Sequence, residues 1–383
     1  GLHRAQLPIE AENDFPSLPS GCFIHLQRQA RERILDSLRR LVQQNWRRLC
    51  TELQTYVTLQ GRDSIRLVDF LKDQGVELES LYRGSGRSGW TCLKRQAGLL
   101  PEEASQEEEY FGRRFADLLH VDDVERLAFL AQVTQSHAAH ELNEAHPNQN
   151  GSEPMATSGS PLLKDAGSAR ERRLLQMLAY QIDAGHQQKE TGAAFLARLM
   201  ESPMSFLELG ELAEVLSSRN VLPARAIPGM EDLPLCLHAS YGIREILTAV
   251  GWLTDTRRSP FQAGVLALPE RRTELLFVTL DKREGYHQRI AYHDYAISAE
   301  RFHWQTQNSA GPDTKVGRRY LESPDNGWQF QLFVRQTRKD PYRACGPATL
   351  LQAEGNRPMS IHWKLDVPLP ARLFQAFSVL RDA

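Results

Sequence analysis

The chain has 383 residues, which is long for a single domain and predicts two or three. Its composition, 41% hydrophobic and 25% charged, is typical of a folded globular protein and excludes a wholly disordered chain. No run of apolar residues approaches the length of a membrane-spanning helix. The formal net charge of −2 argues against a protein that binds polyanions through bulk charge.

The near-neutral total conceals two unlike parts of the chain. Residues 236–383 hold 20 Lys and Arg against 15 Asp and Glu, a charge of +5, which leaves −7 for residues 1–235. The C-terminal part also holds 17 of the 31 aromatic residues and four of the six tryptophans. A basic, aromatic-rich unit therefore follows an acidic, aromatic-poor one, and any surface for a polyanion is expected in the C-terminal unit.

The sequence motifs and the cysteines further restrict the class of protein to which the chain can belong. Neither GxxxxGK[ST] nor GxGxxG after a strand occurs, which excludes those ATPase and dinucleotide sites within the chain. Five scattered cysteines without CxxC fit reduced thiols in a cytoplasm. The chain starts Gly1-Leu2-His3, without Met or a signal peptide. We therefore expect a cytoplasmic fragment of a longer protein, with no enzymatic activity or cofactor of its own.

The N-terminal part is predicted to be helical. Residues 1–27 form a connector punctuated by Pro and Gly, and an amphipathic helix follows at 28–57. The arginines on the polar face of that helix form either a solvated surface or a ridge for phosphates or a partner. Residues 136–166, rich in Asn, Gly and Ser, read as a flexible linker between helical sets at 28–135 and 167–235. Further helices are predicted at 65–71, 107–119, 122–131, 169–182, 192–200 and 206–216.

From residue 236 the pattern changes to that of a sheet. Ile361, Trp363 and Leu365 alternate with His362 and Lys364, as in a strand with one buried face. We predict an α+β fold in which an all-helical unit precedes a mainly-β domain at 236–383, built as a curled sheet or a small barrel. Beside one helix at 241–250, strands are predicted at 265–268, 274–280, 292–297, 302–305, 329–335, 348–351 and 361–365.

Two catalytic interpretations of this domain are weak. Asp281 and Lys282 follow a strand, as in some metal-dependent nucleases, but adjacent strand residues point to opposite faces. No serine stands in a GxSxG pattern. The histidines lack the spacing of a metal site, so neither a metal nor a catalytic residue is predicted. These histidines are His287, His293, His303 and His362.

The most unusual stretch is 292–308, where aromatic-rich strands surround Asp294 and end in amide side chains. Aromatic faces stack on bases, amides hydrogen-bond base edges and cations neutralise phosphates, so we predict nucleic-acid contact here. The alternative is that Tyr295, Phe302 and Trp304 are ordinary sheet core. The candidate base- and DNA-binding residues are Tyr292, Asp294, Tyr295, Phe302, His303, Trp304, Gln305, Gln307 and, from a following loop and a later strand, Lys315, Arg318, Arg319 and Arg335.

Asp294 is the candidate that fits a cytosine edge. The exocyclic amino group of cytosine is a donor, and a carboxylate accepts from it, which favours Asp294 over Gln305 or Gln307. On a strand, Tyr292 and Asp294 share one face, whereas Tyr295 lies on the other. We therefore expect Tyr292 and Asp294 to share a pocket that Tyr295 does not enter.

The C-terminal residues resemble a bacterial module that follows the motor of DEAD/DEAH-type (superfamily 2) helicases and was long catalogued as a domain of unknown function. The resemblance extends over nearly the whole chain, specific around 292–307 and loose through 100–230. It is carried by Tyr295-Ala296-Ile297-Ser298, Phe302-His303-Trp304-Gln305-Thr306-Gln307, Gly317-Arg318-Arg319-Tyr320, Leu332-Phe333-Val334-Arg335, Arg357-Pro358-Met359-Ser360-Ile361-His362-Trp363, Asp14-Phe15-Pro16-Ser17-Leu18-Pro19-Ser20-Gly21 and Ser88-Gly89-Trp90-Thr91-Cys92-Leu93.

One branch of that family joins a phospholipase-D-like nuclease, a helicase and this region in SauUSI-type (type IV) modification-dependent restriction enzymes of phage defence. The resemblance implies that the C-terminal domain recognises double-stranded DNA carrying 5-methylcytosine or 5-hydroxymethylcytosine. Whether a base is flipped stays open, and a barrel, if the sheet closes into one, is expected to be SRA/PUA-like. The resemblance also implies that the helical part couples recognition to helicase and nuclease domains of the same parent polypeptide, an ATP-dependent restriction endonuclease. Neither nuclease nor helicase motifs occur here, so residues 1–27 would follow a missing helicase core.

Two other functions stay open. A modification-independent clamp that only raises helicase processivity would bind nucleic acid with strong salt dependence and no preference for a modified base. A protein-interaction scaffold would instead use the arginine-rich helix and the acidic helical unit to dock partner subunits. A homodimer is compatible with each of these functions, and none of them involves a membrane.

Overall fold

The computed structural model describes residues 46–61, 65–82, 88–100, 103–145, 168–183, 190–220, 222–257, 261–280 and 294–378, and for 135–145 it describes only the backbone. The N-terminal half is helical and the C-terminal half is a mainly-β mixed sheet, so the predicted α+β fold is confirmed. The predicted connector at 1–27 and the first part of the helix at 28–57 lie outside the described residues.

The described helices of the N-terminal half are α1 (Trp46–Gln60), α2 (Leu67–Gln74), α3 (Leu78–Tyr82), α4 (Trp90–Gln96), α5 (Gln106–Arg114) with a 3₁₀ turn at Phe115–Leu118, α6 (Val124–Ala145), α7 (Ala169–Ile182), α8 (Gly192–Met200) and α9 (Pro203–Arg219). The sequence does not predict α3 and α4, because such short helices hardly show a period. Helix α6 continues to Ala145, well into the segment 136–166 that reads as a linker. None of the described helices has the length and apolar character needed to cross a membrane.

A buried carboxylate holds the start of α4. Glu208 of α9 is 2% exposed and accepts hydrogen bonds from the backbone N–H groups of Trp90 (2.8 Å) and Thr91 (3.0 Å) and from the Tyr82 hydroxyl (2.9 Å). Burial raises the pKa of this carboxyl group, against the opposing effect of the hydrogen bonds. Gly89 precedes the helix at φ 99°, and a Cβ there would lie 2.6 Å from Glu208 Oε1. The first N–H groups of α4 are thus satisfied by α9.

The C-terminal half contains β1 (Ser240–Tyr241), α10 (Ile243–Ala249), β2 (Val265–Leu268), β3 (Thr273–Thr279), β4 (Tyr295–Ser298), β5 (Arg301–Gln305), α11 (Lys315–Leu321), β6 (Gln329–Arg335), β7 (Tyr342–Gly355), β8 (Met359–Leu365) and α12 (Ala371–Phe377). The strand order is β2-β3-β6-β7-β8-β5-β4, with β1 paired to β7. Only the β3–β6 pair among the described strands is parallel.

The sheet does not close into a barrel. The short strands β2 and β4 lie at its two edges, and no ladder of hydrogen bonds joins them within the described residues. Of the two predicted alternatives the curled sheet is therefore correct. The described strands do not form the SRA/PUA-like barrel, because closure needs paired edge strands.

The two faces of the sheet are buried by different parts of the protein. Phe302 and Trp363 belong to an inner core that α11 and α12 help to cover. Phe277, Phe333 and Tyr342 of β3, β6 and β7 point the other way and share one core with the helical half. Alternate residues of a strand point to opposite faces, so these strands are buried on both sides.

A buried ion network joins the helical half to the sheet. Arg126 of α6 is 5% exposed, pairs with Asp123 and donates to Glu245 of α10 at 2.6 Å. Its guanidinium also lies over the ring of Tyr241, 4.0 Å from the centroid. Burial of Glu245 acts to raise the pKa of its carboxyl group, but the charges of Arg126 and His120 outweigh this and lower it to about 2. The carboxylate is therefore ionised and paired at neutral pH.

A second contact reaches from the helical half to β7. The Asp122 carboxylate accepts from the backbone N–H of Ser240 (2.7 Å) and from its hydroxyl (3.0 Å), and it pairs with Arg343 of β7. Arg343 directly follows Tyr342, which faces the shared core. The helical half therefore contacts the sheet at the first residues of β7.

Candidate nucleic-acid interface

A cleft of about 540 Å³ opens between the two edges of the curled sheet. One wall is formed by residues 262–265 with β3, and the other by the end of β5 and the residues after it. A Cβ on Gly264 would lie 3.3 Å from Gln307 Nε2, so the two walls approach closely. This volume is within the usual range of small-ligand sites. The lining residues are Gln262, Ala263, Gly264, Val265, Phe277, Thr279, Asp294, Trp304, Gln305, Thr306, Gln307, Arg335, Arg338 and Tyr342.

Asp294 supplies a carboxylate to the cleft wall. It is 4% exposed, and its Oδ1 accepts the backbone N–H of Gln305 at 2.9 Å, which anchors it where β5 ends. A carboxylate presents about four lone-pair positions, so an anchored one can still accept from a ligand. The side chain that the sequence singled out as a reader of a donor edge therefore lines this cleft.

Aromatic rings contribute to both walls. Trp304 lies on one side, with its ring 5.5 Å from Tyr320 and edge to face with it. Phe277 and Tyr342 lie on the other, 5.4 Å apart in a T-shaped contact. All three rings that line the cleft are less than a tenth exposed and packed into the cores. Their positions are fixed by packing, and each ring presents only a small part of its apolar surface to the cleft.

Arg335 brings a cation into the cleft. Its guanidinium lies over the Tyr342 ring, 4.4 Å from the centroid, and its Nε donates to the Thr279 hydroxyl at 2.9 Å. A terminal nitrogen donates to the Arg338 carbonyl at 3.0 Å. Burial lowers the pKa of this guanidinium, and the charge of Arg338 acts in the same direction, whereas Tyr342 and Asp340 act against it. A cation whose hydrogen-bond partners are a hydroxyl and a carbonyl is suited to an anionic ligand.

The Gln305 and Gln307 side chains belong to a segment that hydrogen bonds hold in place. Thr306 is fully buried, donates its hydroxyl to the Ala310 carbonyl at 2.9 Å and accepts the backbone N–H of Met359 at 2.9 Å. Its neighbours Gln305 and Gln307 line the cleft on either side of it. Their amides therefore project from a segment held in place by hydrogen bonds.

The cleft thus brings together five of the residues predicted from sequence: Asp294, Trp304, Gln305, Gln307 and Arg335. Tyr295 and His303 do not line it. They are partners across β4 and β5 and stack with centroids 5.2 Å apart on the outer face, where His303 also hydrogen-bonds the Ser360 hydroxyl at 2.6 Å. The predicted separation of Asp294 from Tyr295 is therefore found.

Three predicted cations lie elsewhere, on α11 rather than on a loop, because Thr314 caps a helix by accepting the N–H of Gly317 at 2.9 Å. Lys315 and Arg318 are exposed and do not line the cleft. Arg319 is engaged inside the domain: it pairs with buried Glu274 at 2.5 Å and lies 4.0 Å from the centroid of Trp328. We therefore assign Arg319 to the packing of α11 on the sheet rather than to DNA.

The remaining candidates divide between core and undescribed segments. Phe302 is completely buried in the inner core, which favours the interpretation of this ring as sheet core over a stacking role. Tyr292, His287 and His293 lie outside the described residues. Within the described part of the chain no group of three or more His, Cys, Asp or Glu could hold a metal ion.

Several lining residues show no signal in the sequence. Phe277 looks like ordinary core within an apolar strand, and Tyr342 stands outside the predicted strand at 348–351. Residues 262–265 have no distinctive chemistry. Their common feature is spatial proximity to β5 across the cleft, which no local pattern in a single sequence indicates.

The comparisons with known proteins bear on the same region. Residues 235–377 match the family model described as Domain of unknown function (DUF3427). This domain is known from helicase-associated proteins. The match runs from before β1 to the last residue of α12, so it includes every described strand and the whole cleft. No curated protein matches the chain.

Proposed function

We propose that the DUF3427 domain is a DNA-recognition domain that accepts an extruded cytosine, modified at C5, in the cleft between the sheet edges. The observation that carries the proposal is the combination in one cleft of about 540 Å³ of aromatic walls, the anchored carboxylate of Asp294 and the cation of Arg335. Sites for flipped bases need these elements: flat apolar walls and polar groups for the Watson–Crick edge.

The chemistry of each wall matches one part of such a nucleotide. Asp294 accepts from the N4 amino group of cytosine, and the Gln305 and Gln307 amides reach other polar atoms of the base. The small residues Ala263, Gly264 and Val265 line the facing wall. In this proposal their small side chains supply the apolar contact that a C5 methyl group requires. Both 5-methylcytosine and 5-hydroxymethylcytosine are candidate ligands.

The helical half is the proposed coupler. Its contacts Arg126–Glu245 and Asp122–Arg343 hold the sheet from the side opposite the inner core, and Arg343 adjoins the cleft residue Tyr342. In the parent polypeptide, helicase and nuclease domains of a type IV restriction enzyme would receive the signal through this half. The parent would be an ATP-dependent restriction endonuclease acting in phage defence, whereas this chain supplies recognition.

A binding assay with double-stranded oligonucleotides that differ only at cytosine C5 tests the proposal. The wild-type chain should prefer the modified duplex. Asp294→Asn should weaken binding to that duplex by about tenfold to a hundredfold, the worth of a hydrogen bond to a charged group, and abolish the preference. The matched control is Asp325→Asn, the same change at an exposed turn residue, which should behave as wild type.

Other outcomes would select the alternatives. Equal wild-type affinity for both duplexes, with strong salt dependence, would replace the proposal by a modification-independent clamp. A stable oligomer that binds no duplex even at low salt would favour a protein-interaction scaffold. A retained preference in Asp294→Asn would remove the carboxylate from the recognition of the base.

A further inference from the structure

The turn that joins β6 to β7 forms the rim of the cleft and concentrates positive charge there. Arg335 ends β6 inside the cleft, Arg338 lines the cleft as well, and Lys339 follows it; the last two side chains are exposed. The opposite wall carries the Asp294 carboxylate and amides. The cleft therefore has cations on one side and a carboxylate with two amide groups on the other.

The turn is organised by its own side chains. The Asp340 carboxylate accepts from the backbone N–H and the hydroxyl of Thr337, both at 2.8 Å, and the N–H of Lys339 donates to that hydroxyl at 3.3 Å. The carboxylate of Asp340 therefore stabilises the turn through its hydrogen bonds to Thr337. Because Arg335 donates to the Arg338 carbonyl at 3.0 Å, the cation in the cleft and the turn on its rim form one unit.

We infer that this turn is a phosphate-binding rim, which holds the DNA backbone beside the extruded nucleotide and sets the orientation of that nucleotide. The phosphate lies at Arg335, Arg338 and Lys339, and the amino edge of the base points to Asp294 across the cleft. A preformed turn with charged donors suits a phosphodiester, since charge-assisted hydrogen bonds to phosphate are strong and directional. The inference rests on the proposed occupation of the cleft by a nucleotide.

The test separates phosphate binding from reading of the base. The double variant Arg338→Gln/Lys339→Gln removes two charges from the rim, and Lys72→Gln/Arg219→Gln removes two from exposed positions of the helical half. Both are compared with wild type by titration of modified and unmodified duplexes over a range of salt concentrations. Thermal melting verifies that each variant folds.

The rim variant should lose affinity equally for both duplexes and keep the preference for the modified base. The slope of log Kd against log salt concentration should fall by about 0.9 for each phosphate that the variant no longer neutralises. The control pair should keep the wild-type slope. In Asp294→Asn the pattern reverses: the preference disappears and the slope stays.

Two results would overturn the inference. One is a rim variant whose affinity and slope equal those of the control pair. The other is a rim variant that loses the preference at an unchanged slope, because that outcome assigns the turn to the base. If the wild-type chain shows no preference but the rim variant still lowers the slope, the proposed recognition of a modified base fails while the phosphate-binding rim stands.

Discussion

Arg335 and Tyr342 form a stacked pair in the wall of the cleft, with the guanidinium 4.4 Å from the ring centroid. The two residues lie at the end of β6 and the start of β7, so the hairpin between them brings the pair together. Tyr342 packs in the core shared with the helical half, and its ring therefore has a fixed position. Through this contact the core determines where the cation of the cleft points.

Replacement of Arg335 separates charge from geometry. Arg335→Lys keeps the charge but loses the planar guanidinium that stacks and donates in two directions, so affinity for duplex DNA should fall by about 0.5–2 kcal/mol at an unchanged salt slope. Arg335→Gln loses the charge as well, and its slope should fall by about 0.9. Fluorescence anisotropy with a labelled duplex at several salt concentrations measures both quantities.

The matched control is Arg318→Lys, the same change at an exposed residue of α11 that does not line the cleft. It should bind as wild type does. If Arg335→Lys bound as tightly as wild type, the guanidinium would serve as charge only and the stacked geometry would have no role in binding.

Loss of Arg126 from the buried ion network between the helical half and the sheet should cause a large loss of stability. Arg126→Met leaves the Asp123 and Glu245 carboxylates buried without their cation, and breaking a buried pair in this way costs about 3–5 kcal/mol. Urea denaturation should show this as a lower midpoint. The comparison is Arg113→Met, which removes a half-exposed arginine from its i,i+4 pair with Glu109 and should cost under about 1 kcal/mol. Equal losses in the two variants would mean that the network adds nothing specific.

The lowered pKa of the His238 imidazole predicts that the stability of the protein depends on pH. Burial, together with the charges of Arg225 and Arg343, lowers the pKa of its imidazole from 6.5 to about 4. Between these values the unfolded chain binds a proton that the folded chain does not, so this contribution to the free energy of unfolding falls as the pH falls from 6.5 to 4. In His238→Asn the contribution is absent, and the variant should lose less stability than wild type over that interval.

Asparagine suits this position because His238 has φ 65°, in the left-handed region that Asn tolerates. Urea titrations of both proteins at about pH 7 and at about pH 4 measure the difference, and the other titrating groups cancel in it. Parallel changes in the two proteins would show that the imidazole titrates normally in the folded state.

Much of the fold follows from local pattern. The 3.6-residue period predicts α7 and α8 with their observed bounds, and β-like runs separated by turn signals predict β2 and β6 with theirs. In these elements the local composition and period agree with the tertiary structure. Short helices such as α3 and α4, and α11 in a stretch rich in Arg and Gly, escape this argument because capping and tertiary contacts stabilise them.

Some of the candidate residues line the cleft and others do not, and the difference has one cause. Asp294, Gln305 and Gln307, whose chemistry stands out beside aromatic strands, line the cleft. Tyr295 lies on the outer face, and Arg319 is paired with buried Glu274. The chemical type of a side chain determines what it can bind. The face of the strand or helix on which it lies, and its neighbours, determine whether a ligand reaches it.

By itself, the sequence determined that a helical part precedes a part rich in strands, the acidic and basic halves and the segment around Asp294, since these depend on residues close together in the chain. The tertiary structure decided that the sheet stays open and that its edges leave a cleft. It also decided that Phe277, Tyr342 and Trp304 line the same cleft. These contacts join strands far apart in sequence, and they arise from the curl of the sheet and the packing of its two cores, for which no local pattern exists.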